Sequence, residues 1–264
     1  MTGTIESPAN PLVKELAGLK QRRNRDRTGH ILIEGSRELG HALATDRVVV
    51  ERIVVSAELA GTEAERFAAA ADAGAIPLTR MSAVAFAKLS MRRHPDGIAG
   101  VAAASSWTLD RLEPGPKARF LFVEGVEKPG NLGAMLRTAD AAGVDGVVVA
   151  GAGVDLGSPN VIRASQGSIF DLPIAQHETD AVIRWLQSHR IPLVVATPDA
   201  KHALWDIDLT GAVALGVGSE HLGISPATRA AATLVRIPMA GTADSLNVSV
   251  AAAVLLYEAV RQGR

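Results

Sequence analysis

The sequence predicts an α/β protein in two parts: a mostly parallel sheet covered by helices and, before it, a smaller α/β unit. Three observations lead there. Short, β-branched apolar runs alternate along the chain with longer segments of helical period, the order that builds parallel sheets. At 264 residues, 47% hydrophobic and 21% charged, the chain can bury a large core and is too apolar to stay disordered. Between residues 105 and 117 the alternation stops, where Pro114 and Pro116 around Gly115 in SSWTLDRLEPGPK remove backbone donors and favour extended structure. The expected division is an N-terminal unit over residues 1–105, a linker over 106–117 and a C-terminal unit over 118–264.

Taken in order, Asn10-Pro11 opens a helix with Val13, Leu16 and Leu19 on one side and most of the Lys and Arg residues on the other. HILIEG and VVVERIVV read as strands, with ELGHALA and TEAERFAAAADAG as the helices between and after them. IPLTR and GIAGVAAA complete the first unit. In the second, ARFLFVEG is a strand, NLGAMLRTADAAG a helix that Asn131 is placed to cap and Gly143 closes, and DGVVVAG the next strand. IPLVVAT, AVALGVGSE and LVRIP continue the alternation to a last helix, VSVAAAVLLYEAVRQ.

The inventory excludes several chemistries. With no cysteine there is no disulfide, thiolate nucleophile or Cys-ligated metal, and the seven His show no HExxH or similar spacing, so no metal is expected. The start, MTGTIESPANPLVKEL, lacks the build of a signal peptide, and no uncharged apolar run approaches the ~20 residues of a membrane span. A cytoplasmic protein without a membrane partner is expected. The net charge of −1 hides a local stripe: from Lys14 to Arg27, six cations, Lys14, Lys20, Arg22, Arg23, Arg25 and Arg27, stand against Glu15 and Asp26.

A glycine-rich α/β chain is first tested as a dinucleotide binder, and the test fails. GAGVDLG has one residue too many before its third glycine, GVGSEH has His in place of it, and neither GxxxxGK[ST] nor GxSxG occurs. Three other segments set polar residues and loop glycines or a proline at the edge of an apolar element. VEGVEKPGNLGAMLRTADAAG carries Asn131 and, six residues further and expected on the same general flank of the helix, Arg137; a helix cap and a surface arginine would explain it equally well. LGVGSEHLGIS ends an apolar strand in Gly216 and Gly218, which would let the backbone approach a ligand, and then presents Glu220; a plain strand-to-helix turn is the competing account. VRIPMAGTADSLNVSVAAAVLLYEA sets Ser245 and Asn247 at the start of the closing helix, where capping explains one of the two.

In this order and near these spacings, the three segments resemble the motifs of the SpoU (TrmH-like) branch of the SPOUT methyltransferases, from about Phe120 to Arg264. NPLVKEL, the basic stretch and HILIEGSREL resemble the substrate-binding domain that precedes the catalytic domain in ribosomal-RNA members. The resemblance implies S-adenosylmethionine-dependent 2′-O-ribose methylation of a structured RNA, ribosomal RNA first, by a homodimer whose active site lies at the interface. It also implies a deep trefoil knot, which connection rules argue against. The closing helix would serve as an interface element or simply as a core helix.

The positions that match the family's catalytic residues are Asn131, Arg137, Glu220, Ser245 and Asn247. For the cofactor the resemblance points to Thr197-Pro198, residues 215–220 and residues 237–246, with Thr197, Leu215, Gly216, Gly218, Glu220, Ile237, Met239 and Leu246 as contacts. An arginine has been proposed as the base in this family, but a guanidinium keeps its proton in proteins; Arg137 is expected instead to hold a phosphate and polarise the 2′-oxygen. Lys14, Lys20, Arg22, Arg23 and Arg25 are expected to contact RNA phosphates, with a solvated helix face as the competing account. Aromatic residues at 3% leave little base stacking on exposed rings. The alternatives are a tRNA ribose methyltransferase and a non-catalytic RNA-binding or ribosome-assembly protein of the same fold.

Overall fold

A computed structural model describes residues 3–151 and 153–263; Met1, Thr2, Ala152 and Arg264, which the expected units include, lie outside the described residues. The first part of the chain forms α1 (Pro11–Gly18), α2 (Arg22–Thr28), β1 (His30–Glu34), α3 (Ser36–Leu43), β2 (Val50–Val55), α4 (Ala57–Ala60), α5 (Thr62–Ala73), β3 (Leu78–Arg80), α6 (Ala83–Leu89) and β4 (Ile98–Ala103). The second forms β5 (Arg119–Glu124), α7 (Pro129–Ala141), β6 (Gly146–Ala150), α8 (Pro159–Ala164), β7 (Ile174–His177), α9 (Thr179–Ser188), β8 (Leu193–Ala196), β9 (His202–Ala203), β10 (Val213–Val217), α10 (Pro226–Ala231), β11 (Thr233–Arg236) and α11 (Val248–Gln262).

The chain divides into two compact units. One comprises the described residues up to Ser105 together with Asp155–Asp171; the other comprises Ser106–Val154 and the described residues from Leu172. The segment with α8, which sequence alone groups with the C-terminal part, thus packs with the N-terminal one. In that unit four strands run in the order β1-β4-β2-β3, antiparallel except for the β2–β3 pair. Asn10 caps α1, its Oδ1 accepting from Leu12 N at 2.9 Å, and Pro11 occupies the first helical turn. Val13, Leu16 and Leu19 bury against Leu32, Val54, Met81 and Phe86 as the apolar spacing requires. The basic residues do not share one helix: α1 stops at Gly18, and α2 begins at Arg22 and ends at Gly29, whose φ of 69° is open to glycine.

In the second unit seven strands run all parallel in the order β7-β6-β5-β10-β8-β11-β9. Burial on both faces explains why FLFV, VVVA and VAL read as unbroken apolar runs. Phe120 and Phe122 are fully buried among Val148, Val182, Leu186 and Val195, each worth about 2–3 kcal/mol of burial. α11 packs on α7 and on β10. In a parallel sheet the carboxyl ends of all strands share one edge, so the loops after the neighbours β5, β10, β8 and β11 open together. Those loops hold the three polar segments.

Candidate active site

Asn131 stands in the first turn of α7, which starts at Pro129 with Lys128 as cap residue; it does not cap the helix as the sequence suggested. Its amide is therefore available. Asn131 Nδ2 donates to Glu220 Oε1, and Asn247 Nδ2 donates to Asn131 Oδ1 at 3.3 Å. Asn247 also caps α11, its Oδ1 accepting from Ser249 N at 3.0 Å and Ser249 Oγ at 2.6 Å. Three predicted residues from three separate segments thus form one directed chain of donors that ends on a carboxylate.

The loop that presents Glu220 is built as a tight turn. Ser219 and Gly223 exchange backbone hydrogen bonds of 2.9 and 3.0 Å, and Ser219 Oγ accepts from His221 N and Leu222 N, both at 3.3 Å. Glu124, which sequence reasoning passed over, anchors the far end: this buried carboxylate accepts from Ser225 N and Thr179 Oγ1, both at 3.0 Å. An acid at the end of FLFV was the available signal, since a charge that closes an apolar strand is buried only with partners.

Two predicted residues stay apart from this cluster. Arg137 is exposed on α7, and six residues of helix turn about 600°, leaving it about 120° round from Asn131. Ser245 is exposed in the loop before Asn247 and makes no hydrogen bond among the described residues.

The cofactor positions divide. Leu215 and Gly216 lie inside β10, buried, with β5 and β8 paired on either side, so they are core positions and not contacts. A Cβ at Gly216 would meet Val195 Cγ2 at 2.7 Å and Phe122 Cδ1 at 3.0 Å, and one at Gly218 would meet Gly223 and Ile224. At both glycines the protein's own packing leaves no room for a side chain. Thr197, Gly218, Ile237, Met239 and Leu246 do lie on the loops of the shared edge. Thr197 Oγ1 is buried without a hydrogen bond of good geometry, although the neighbouring Asp199 carboxylate feels it. That carboxylate is held below its ordinary pKa first by the Arg229 guanidinium at 3.0 Å and then by Thr197, which ties the 197–200 loop to α10. An unsatisfied buried hydroxyl beside an edge of loop backbone fits a polar small molecule bound there.

Of the predicted RNA contacts, two are spent internally. Arg25 is 6% exposed, paired with Asp155 and donating to Leu19 O at 2.7 Å, so it is a structural arginine. Lys20 is half-buried, and its Nζ donates to Lys88 O at 2.8 Å and Ser90 O at 3.4 Å. Lys14, Arg22 and Arg23 are exposed, with Arg22 loosely paired to Asp26 at 3.6 Å. No helix of the described residues is long and apolar enough to cross a membrane, and no group of three His, Asp or Glu among them is placed to hold a metal.

Comparison with known proteins identifies the family. The profile of the SpoU rRNA Methylase family matches residues 118–257, and that of an MRM3-like substrate binding domain matches residues 10–100. The chain is 31% identical to the 23S rRNA (guanosine(2553)-2′-O)-methyltransferase RlmP of Bacillus subtilis, over 96% of this chain and 97% of that one. A crystal structure of an RNA 2′-O ribose methyltransferase is 45% identical, with a TM-score of 0.86 over 98% of this chain and 99% of the other. The AdoMet-bound rRNA methyltransferase of Sinorhizobium meliloti is 30% identical, with a TM-score of 0.89 over 98% and 97%. The chain whose parallel sheet gathers Asn131, Glu220 and Asn247 at one edge thus belongs to the SpoU rRNA methylase family.

Proposed function

We propose that this chain, by family an S-adenosylmethionine-dependent RNA 2′-O-ribose methyltransferase, modifies large-subunit ribosomal RNA and does so as a homodimer. The observation that carries the proposal is the Asn247–Asn131–Glu220 chain at the carboxyl edge of the sheet. Similarity to a 23S rRNA enzyme along nearly the whole chain supports the substrate. The N-terminal unit, residues 1–105, is assigned to RNA binding; residues 118–264 carry the reaction and the threaded C-terminal segment of the family.

S-adenosylmethionine, when bound, supplies an electrophilic methyl on a sulfonium. Thr197, Gly218, Ile237, Met239 and Leu246 would hold it, the first through its buried hydroxyl. Asn131, Glu220 and Asn247 fix one another and the loops around the cofactor, so that geometry is set before RNA arrives. Ser245 orients the target nucleotide from its exposed position. Arg137 clamps the neighbouring phosphate and polarises the 2′-oxygen, and the hydroxyl proton leaves late, to water, because a guanidinium does not accept it. Arg137 turns away from the cluster of its own chain, so a second copy supplies it; Val250 and Tyr257, 47% and 50% exposed seven residues apart on α11, suit the contact between copies.

The test is methyl transfer from labelled S-adenosylmethionine to purified ribosomal RNA and bulk tRNA in parallel. Label at a ribose of large-subunit RNA is expected, with Arg137→Ala lowering kcat/KM about 10- to 150-fold as a charged hydrogen bond is lost. Label in tRNA alone would overturn the substrate. Arg137→Lys at wild-type rate would remove the need for a bidentate fork. An active monomer in sedimentation would remove the dimer.

A further inference from the structure

The N-terminal unit contains a loop built with more internal support than a connector needs. Residues 90–97 join α6 to β4. The Glu34 carboxylate accepts from Ser90 Oγ and, at 2.8 Å, from Met91 N. Arg92 Nη2 donates to Glu34 O at 3.2 Å and Glu38 Oε1 at 3.1 Å. The Asp96 carboxylate accepts from Ser36 N at 2.9 Å and from Ile98 N at 3.3 Å. Lys20, whose charge the sequence offered to RNA, ties the end of α6 to the loop's first residue by donating to Lys88 O and Ser90 O. Gly35 has a φ of 119°, and a Cβ there would run into Glu38 and Arg92. Two acids of this network point inward, Glu34 at 5% exposed and Glu38 at 4%, while the Asp96 side chain, 32% exposed, is held by Arg92 at 3.4 Å.

What the brace holds outward is cationic. Arg93 and His94 are exposed at the tip of the loop, and Arg37 is exposed at the first turn of α3, against which the loop is tied. Among the described residues none of these three side chains has a hydrogen bond or ion pair. Arg37 also lines an open cleft of about 510 Å³ along α3 with Ser36, His41 and Arg66, of which His41 is held by Asp171 at 2.6 Å and Arg66 by Glu63 at 2.8 Å. Inward carboxylates, outward unpartnered cations and an adjoining trough form a rigid positive rim, the arrangement that receives a polyanion with little ordering cost.

We propose that the 90–97 loop and the start of α3 form the docking surface for the RNA sugar-phosphate backbone, with Arg37 and Arg93 as phosphate contacts and Arg66 along the trough. This rests on the RNA substrate proposed above and adds where on the N-terminal unit it is gripped; the surface differs from the α1–α2 stripe that the sequence singled out. Phosphate contacts do not read sequence, so the docking is tested by binding, apart from methyl transfer.

The experiment measures equilibrium binding of the full chain to transcribed large-subunit ribosomal RNA and to bulk tRNA across a salt series. Arg37→Ala/Arg93→Ala is compared with Arg22→Ala/Arg23→Ala, which changes the net charge equally. The loop pair should weaken binding roughly 10- to 100-fold at about 0.1 M salt and lower the salt slope by about 2, on whichever RNA the wild type binds. The Arg→Lys pair should keep most of that slope, and S-adenosylmethionine affinity should be unchanged in all variants. If the α2 pair loses as much as the loop pair, or the loop pair binds like wild type, the docking surface is refuted. Wild-type binding without methyl transfer to ribosomal RNA would instead strike the substrate proposal and leave the loop supported, whereas a wild type that binds neither RNA would refute the surface.

Discussion

Asn247 uses the two halves of one amide for two tasks, and substitution can separate them. Its oxygen caps α11 through Ser249, and its nitrogen donates to Asn131. Asn247→Asp keeps a preferred cap but puts an oxygen where the donor stood. Asn131 cannot answer by turning its own amide over, because its oxygen would then face Glu220. Asn247→Ala removes both functions. The cap is worth about 1 kcal/mol, which in a chain of this size lowers Tm by about 2–4 °C. A lost hydrogen bond between neutral groups is worth about 0.5–1.5 kcal/mol, or about 2- to 12-fold in rate if it is felt at the transition state. The Asp variant belongs at or beyond the upper end of that range, with two acceptors set against each other. Calorimetric Tm and single-turnover methyl transfer at saturating cofactor read the two effects. Stability should run wild type and Asp together above Ala, while turnover should run wild type above Ala above Asp. An Asp variant with wild-type turnover, or both properties falling in the same order, would refute the division of labour.

Arg25→Ala should destabilise the protein by about 3 kcal/mol in chemical denaturation, since it strands the Asp155 carboxylate and the Leu19 carbonyl; a loss below about 0.5 kcal/mol would return Arg25 to the surface cations. The Glu258 carboxyl is drawn down to about 2, first by its hydrogen bonds to Arg261 and then by Gln262. Its folded pKa lies below the unfolded one, so its stabilisation is present above about pH 4.5 and is lost as pH falls towards 2. The Arg261 side chain is 69% exposed, and water screens part of the pair. Glu258→Gln should therefore narrow the stability difference between pH 6 and pH 3 in urea titrations, and an unchanged difference would contradict the assignment.

Much of the fold and part of the site were legible in the sequence, for identifiable reasons. Period and composition are local: VSVAAAVLLYEAVRQ spells α11 residue for residue, and FLFV and VVVA announce strands buried on both faces. The residue types of the family's motifs name Asn131, Glu220 and Asn247 without any geometry. Segment ends were less legible, since the Pro129 turn that moved the start of α7 competes with Asn131 as a cap. What only the tertiary structure decided is which charges and glycines are spent inside. Arg25 and Lys20 look like Arg22 and Arg23 in the chain, yet Asp155 and the carbonyls of residues 88 and 90 claim them from far along the sequence. Gly216 looks like a ligand-approach glycine until Val195 and Phe122 are found in the space its Cβ would take. Those outcomes rest on contacts between residues tens of positions apart, and a one-dimensional pattern does not encode who meets whom across a sheet.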